Sequence, residues 1–149
     1  MGDRAIRATI SHQLATALYM QGRWDEAEHF ARESEDLGAS NDTEVQMGWR
    51  RIRARLLARR GEFGDAGRVA DEAVEISRRG DSPNDQADAL MALGEVLSLA
   101  GERDRAAEAV REALELYEVK ENVISARSAR QALEALEAGL EWPPPNASP

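Results

Sequence analysis

Three stretches of this chain are near copies of one another. QGRWDEAE at 21–28 returns as RGEFGDAG at 60–67 and again as AGERDRAA at 100–107. Each holds a glycine with an alanine five residues later: Gly22 and Ala27, Gly61 and Ala66, Gly101 and Ala106. The steps between the glycines are 39 and 40 residues. A period of that length marks a repeat architecture, in which one supersecondary unit stacks on its own copies and buries a continuous core between them.

The residues around each glycine say what the unit is. Seven positions before it stand Ala15, Ala54 and Gly94, and four before it Leu18, Leu57 and Leu97. Nine after it come Ala31, Ala70 and Val110, and twelve after it Ser34, Ala73 and Ala113. Steps of three and four place small and apolar residues on one face of a helix, and the pattern breaks and restarts at each glycine. A glycine there ends a helix by taking the left-handed conformation. Asp25, Glu26, Asp65 and Asp104 then fall in the first turn of the next helix, where they complement its dipole.

Between units, Gly38 and Gly80 read as further C-terminal stops. Asn41 with Glu44 resembles a capping box. Ser82 before Pro83 reads as a cap followed by proline at the first helical position, and Asn122 as the cap of a last helix ended by Gly139. The predicted fold is all-α. It is a solenoid of antiparallel helix pairs, with units at about 5–38, 42–80 and 83–118 and a seventh helix at 122–138. That helix looks like the first half of a fourth unit. Pro143, Pro144 and Pro145 forbid helix beyond it, so 141–149 is expected to be an extended or disordered tail.

Composition agrees with this fold class. Aromatics are 5% of the 149 residues, and the strong helix formers Ala, Leu, Glu and Arg dominate. There is no cysteine, so no disulfide framework and no thiolate ligand or nucleophile is available. No apolar run reaches the length of a membrane span. The start, MGDRAIRATI, lacks the apolar stretch of a signal peptide, so a cytoplasmic location is expected. A net charge of −9 argues against bulk binding to nucleic acid or to anionic membranes.

The spacing of small residue, leucine, glycine, aromatic and alanine in ALYMQGRWDEAEHFA resembles the tetratricopeptide repeat. The likeness covers about residues 5–138. The third unit resembles the final repeats of large bacterial regulators, where such repeats follow catalytic or transcription-factor domains. The family's usual unit is 34 residues, so longer helices or turns are expected here, and HEAT-type repeats are the alternative at this length. Arg103 stands where Trp24 and Phe63 supply an aromatic. The resemblance implies a right-handed stack, protein partners and no cofactor.

No catalytic constellation stands out. His12 and His29 lie on different helices, and Ser11 precedes His12 at an angle that keeps the pair apart. No metal-binding or phosphate-cradling motif is present, and no enzymatic activity is expected.

The feature that does stand out is GWRRIRARLLARRG. Six arginines lie between residues 50 and 60, and no Asp or Glu occurs from Val45 to Gly61. Trp49, Ile52 and Leu56, with Leu57 beside them, give a core face, while Arg51, Arg55 and Arg59 form a stripe. The resemblance implies that the first helix of each pair lines a concave groove. The groove would then receive Arg51, Arg55 and Arg59, with His12, Thr16 and Tyr19 from unit one and Met91, Glu95 and Ser98 from unit three.

Three readings of the arginines stay open. They pair with neighbouring carboxylates, or grip an acidic or C-terminal carboxylate peptide, or bind phosphate or nucleic acid. Ile6, Ile10 and Leu14 form an apolar stripe on the first helix with no capping helix before it. Either the chain is a fragment of a longer array or that face meets a second copy, as in a homodimer or an intramolecular regulatory contact.

Overall fold

The computed structural model describes residues 2–143 and contains seven helices, with no strand among those residues. They are α1 Gly2–Met20, α2 Trp24–Leu37, α3 Thr43–Arg59, α4 Phe63–Arg78, α5 Pro83–Leu99, α6 Arg103–Val119 and α7 Val123–Glu137. Six form the antiparallel pairs α1–α2, α3–α4 and α5–α6, and each pair packs on the next. The extra residues of the repeat are spent on helix length: α3, α5 and α6 each run 17 residues.

The glycines behave as the repeat requires. Gly22, Gly61, Gly101 and Gly139 have φ of 77°, 78°, 83° and 74°. In each case the next residue's N–H donates to a carbonyl five positions back, on Leu18, Leu57, Leu97 and Ala135. This closes the helix end and satisfies carbonyls that would otherwise be orphaned. Ala27, Ala66 and Ala106 are fully buried, as are Ala31, Ala70 and Val110 and the trio Ser34, Ala73 and Ala113. The Ser34 hydroxyl donates to the Ala8 carbonyl at 2.9 Å and so ties α2 to α1.

Several punctuation marks differ from expectation. The cap of α3 is Asp42 rather than Asn41: its carboxylate accepts from the Val45 N–H at 3.2 Å. Gly38 is extended, not left-handed. It is small because a Cβ there would come within 2.5 Å of Val45 Cγ1. Gly80 likewise lacks a positive φ, whereas Glu121 after α6 adopts one, 55°. Ser82 and Asn122 do cap α5 and α7, accepting from the N–H groups of Asp85 and Ser125.

The seventh helix does not continue the stack as the first half of a fourth unit would. α1 packs on α3 and α3 on α5, but α7 packs chiefly on α6 and has no comparable contact with α5. Trp142 fills the vacated place. Its ring would lie 3.4 Å from a Cβ at Gly94, and it packs on the core that holds Val110, Leu90 and Leu97. One repeat earlier, Ala54 is covered by Val96 of the following unit. A bulky indole over a glycine replaces an aliphatic side chain over an alanine. The expected disordered tail lies, from Pro144 onward, outside the described residues.

Candidate functional site

The arginine helix α3 sits between two units, with α1 and α2 on one side and α4 and α5 on the other. Trp49, Ile52 and Leu56 are buried against α1 and α2, and this fixes the rotation of the helix. The intervening arginines emerge at its flanks, where all six meet carboxylates. Arg50 pairs with Glu72 of α4 at 3.2 Å, Arg51 with Asp88 of α5 at 3.3 Å, and Arg53 with Glu35 of α2 at 3.0 Å. Arg60 binds Glu28 of α2 through both guanidinium nitrogens, one at 3.0 Å.

Arg55 and Arg59 converge on one carboxylate. Arg55 Nε donates to Glu95 Oε1 at 3.1 Å and Arg59 Nη2 to Glu95 Oε2 at 3.2 Å. The Tyr19 hydroxyl of α1 donates to the same Glu95 and accepts from Arg59 Nε at 3.0 Å. Glu95 and Tyr19 are both buried. Burial, and then the Glu95 charge, push the Tyr19 hydroxyl well above the usual phenol range, so it stays protonated. Tyr117 repeats the arrangement on Asp88, and burial pushes its hydroxyl up in the same way.

Of the expected groove residues, Tyr19, Arg55, Arg59 and Glu95 are thus brought together, and they are engaged with one another. Side-chain exposure is 19% for Arg51, 18% for Arg55 and 30% for Arg59, so none of the stripe stands free. Thr16 spends its hydroxyl on the His12 carbonyl at 2.9 Å. Met91 and Ser98 are half-buried beside Glu95 on α5. Glu95 was among the expected groove residues, but Glu28, Glu35, Glu72 and Asp88 escaped sequence reasoning because salt bridges between helices leave no fixed spacing along the chain.

His12 is buried between α1 and α3. Gly48 makes room for it, since a Cβ there would fall 2.4 Å from its Nδ1. Burial first, then the nearby Arg51 charge, pull its pKa down to about 4. Its Nε2 has no hydrogen-bond partner, and Glu44 Oε1 lies 3.7 Å away. Ser11 turns aside and donates to Glu33 at 3.0 Å. Serine and histidine therefore form no nucleophile–base pair. Among the described residues no cluster of His, Asp or Glu could hold a metal ion, and no helix is long and apolar enough to cross a membrane.

A cleft of about 830 Å³ lies beside α4, with Leu93, Val96 and Leu97 of α5 in its wall. Arg68, Arg79 and Arg105 alternate there with Asp71, Glu72 and Glu75, so no single charge converges on it.

The end of the stack formed by α1 is different. Shifted by one repeat, Val45, Trp49, Ile52 and Leu56 of α3 fall on Ile6, Ile10, Gln13 and Ala17 of α1. On α3 those positions lie under α1 and α2, between 0% and 7% exposed. On α1 nothing among the described residues covers them: Ile6 is 58% exposed and Ile10 54%, with Leu14 and Met20 also exposed. From Ala5 to Met20 the only charged residue is Arg7, in a chain that is 32% charged. Depletion of charge over an exposed apolar patch is the compositional mark of an interface core. The 39-residue register was the signal that could have added Gln13 and Ala17 to the stripe.

Models of the tetratricopeptide repeat match residues 7–34 and 46–118. No curated protein gives a significant match to the chain.

Proposed function

Because the chain belongs to the tetratricopeptide repeat family, we propose that it is a non-catalytic protein–protein interaction module whose docking surface is the uncharged face of α1. Repeats of this family generally mediate such interactions. One observation carries the choice of surface: the positions that α3 buries against the preceding repeat are uncovered on α1. A helix laid along Ile6, Ile10, Leu14 and Ala17, as α2 lies along α3, would bury them. Each large aliphatic side chain contributes roughly 1.5–3 kcal/mol when fully buried.

The test is affinity capture from the source cell extract with wild type and with Ile6→Glu/Ile10→Glu. A specific partner retained by the wild type and lost by the double variant supports the reading. Retention of the same partner by both overturns it.

The groove remains a second reading, because three guanidiniums there share two carboxylates, Glu95 and Asp88. An acidic or C-terminal carboxylate peptide would have to displace Glu95, so Glu95→Gln should raise its affinity for Arg55 and Arg59. Fluorescence anisotropy with a labelled acidic peptide decides this, and equal affinity for both proteins removes the groove. Nucleic acid is disfavoured, since each arginine of 50–60 is already paired with a carboxylate, Arg55 and Arg59 sharing Glu95.

A further inference from the structure

The occupant of the α1 face can be named from its charge and its symmetry. The chain carries a net charge of −9, so two copies repel wherever their ordinary surfaces meet. The one extended face without that penalty is the run from Ala5 to Met20, where the stripe Ile6, Ile10, Leu14 and Ala17 holds no charge at all. Among the described residues the opposite end of the stack carries no uninterrupted apolar stripe for a head-to-tail array. The outer face of α7 carries exposed Arg127, Arg130, Glu134 and Glu137. Val119, Val123, Ile124 and Leu140 are exposed at this end but are broken up by Glu118, Lys120, Glu121, Arg127 and Glu134.

The stripe is, in contrast, complementary to itself. Ile6 and Leu14 stand four residues either side of Ile10. An antiparallel pair of α1 helices centred on Ile10 sets Ile10 against Ile10, and Ile6 against Leu14 twice. A parallel pair would instead oppose Asp3 to Asp3 and would bring two helix N-termini together.

We propose that this face binds a second copy of the chain, in an isologous antiparallel α1–α1 contact with its two-fold axis at Ile10. The proposal rests on the reading of the α1 face as an interaction surface and names its partner.

The absence of cysteine makes the test direct. Light scattering across a concentration series of the purified full chain should show a mass rising from 16.4 kDa toward twice that value. Ile6→Glu/Ile10→Glu should remain at the monomer mass. Oxidation should link Ile10→Cys to itself, and Ile6→Cys to Leu14→Cys when the two are mixed. Ala17→Cys should not link, because its two copies would lie about 20 Å apart along the helix axis.

Circular dichroism must show the variants folded. Should the double glutamate fail to fold, Leu14→Glu tests the same contact nearer its edge. A wild type that is monomeric at every concentration overturns self-pairing, as does a dimer that survives the glutamates or one that links through Ala17→Cys. The broader reading is judged separately: a monomer whose captured partner is still lost in Ile6→Glu/Ile10→Glu has failed only as a self-pairing protein.

Discussion

The two ends of this stack solve the same problem in opposite ways. A repeat cannot bury its faces alone, so the first and last units each need a cover. At the C-terminal end the chain supplies one. α7 packs on α6, Trp142 folds back over Gly94, and the outer face of α7 is charged. At the other end α1 presents Ile6, Ile10 and Leu14 with nothing over them. The difference teaches that exposure of an apolar face here is not a general consequence of ending a solenoid. Among the described residues one end is covered over Gly94, with Val119, Val123 and Ile124 exposed at its edge, and the other has no cover over Ile6, Ile10 and Leu14.

The sharpest way to break this comparison uses equivalent positions one repeat apart. Val45→Glu buries a charge among Ala8, Leu37 and Trp49 and should cost more than about 4 kcal/mol, enough to threaten folding. Ile6→Glu, measured on the monomer by urea denaturation, should cost less than about 0.5 kcal/mol. A comparable loss at both would mean that α1 is covered after all.

The next effect in size is acid sensitivity at the N-terminal end. His12 titrates near 4 when folded and at 6.5 when unfolded, so the unfolded chain binds the extra proton between those values. Stability therefore falls as pH drops through 6.5, by about 2 kcal/mol at pH 5 at roughly 1.4 kcal/mol per unit. Glu28 and Glu33 add to the acid loss only lower down. The hydrogen bond from Arg60 holds Glu28 below the carboxylate range, and the bond from Ser11 does the same for Glu33. Hydrogen exchange at pH 7 and pH 5 should show α1 and α3 losing protection before α7, and equal loss along the chain would contradict the assignment to His12.

An effect of similar size belongs to the C-terminal end. Trp142→Ala uncovers Gly94 and Val110 and should cost about 2 kcal/mol, less than a fully buried tryptophan because the ring is only partly enclosed. Thermal unfolding measures it. An unchanged midpoint would show that α7 alone caps the stack.

The smallest effect is a gain. Glu121 holds a left-handed conformation that favours glycine, with the Asn122 N–H donating to the Tyr117 carbonyl at 2.9 Å. Glu121→Gly should stabilise by about 1 kcal/mol, and a loss in the denaturation curve would show that its side chain contributes something the backbone does not reveal.

The sequence by itself determined the helix pairs and their period. Left-handed glycines, small residues at close approaches and polar caps act within a few residues of each other, so Gly22, Ala27, Ser82 and Asn122 could be read directly. It also set the rotation of α3, because the spacing of Trp49, Ile52 and Leu56 settles which face is core. What it could not decide was the fate of the arginines. Whether Arg55 meets a ligand or Glu95 depends on a residue 40 positions away in sequence that only stacking brings to 3.1 Å.

The tertiary structure also decided the two ends. Trp142 reaches Gly94 only because α7 leaves the row, and the six arginines are paired only because α2, α4 and α5 place carboxylates around them. Local rules fix the units. Which surfaces remain free is settled by packing between units, where charge and volume are matched across distances that the chain does not encode in its spacing.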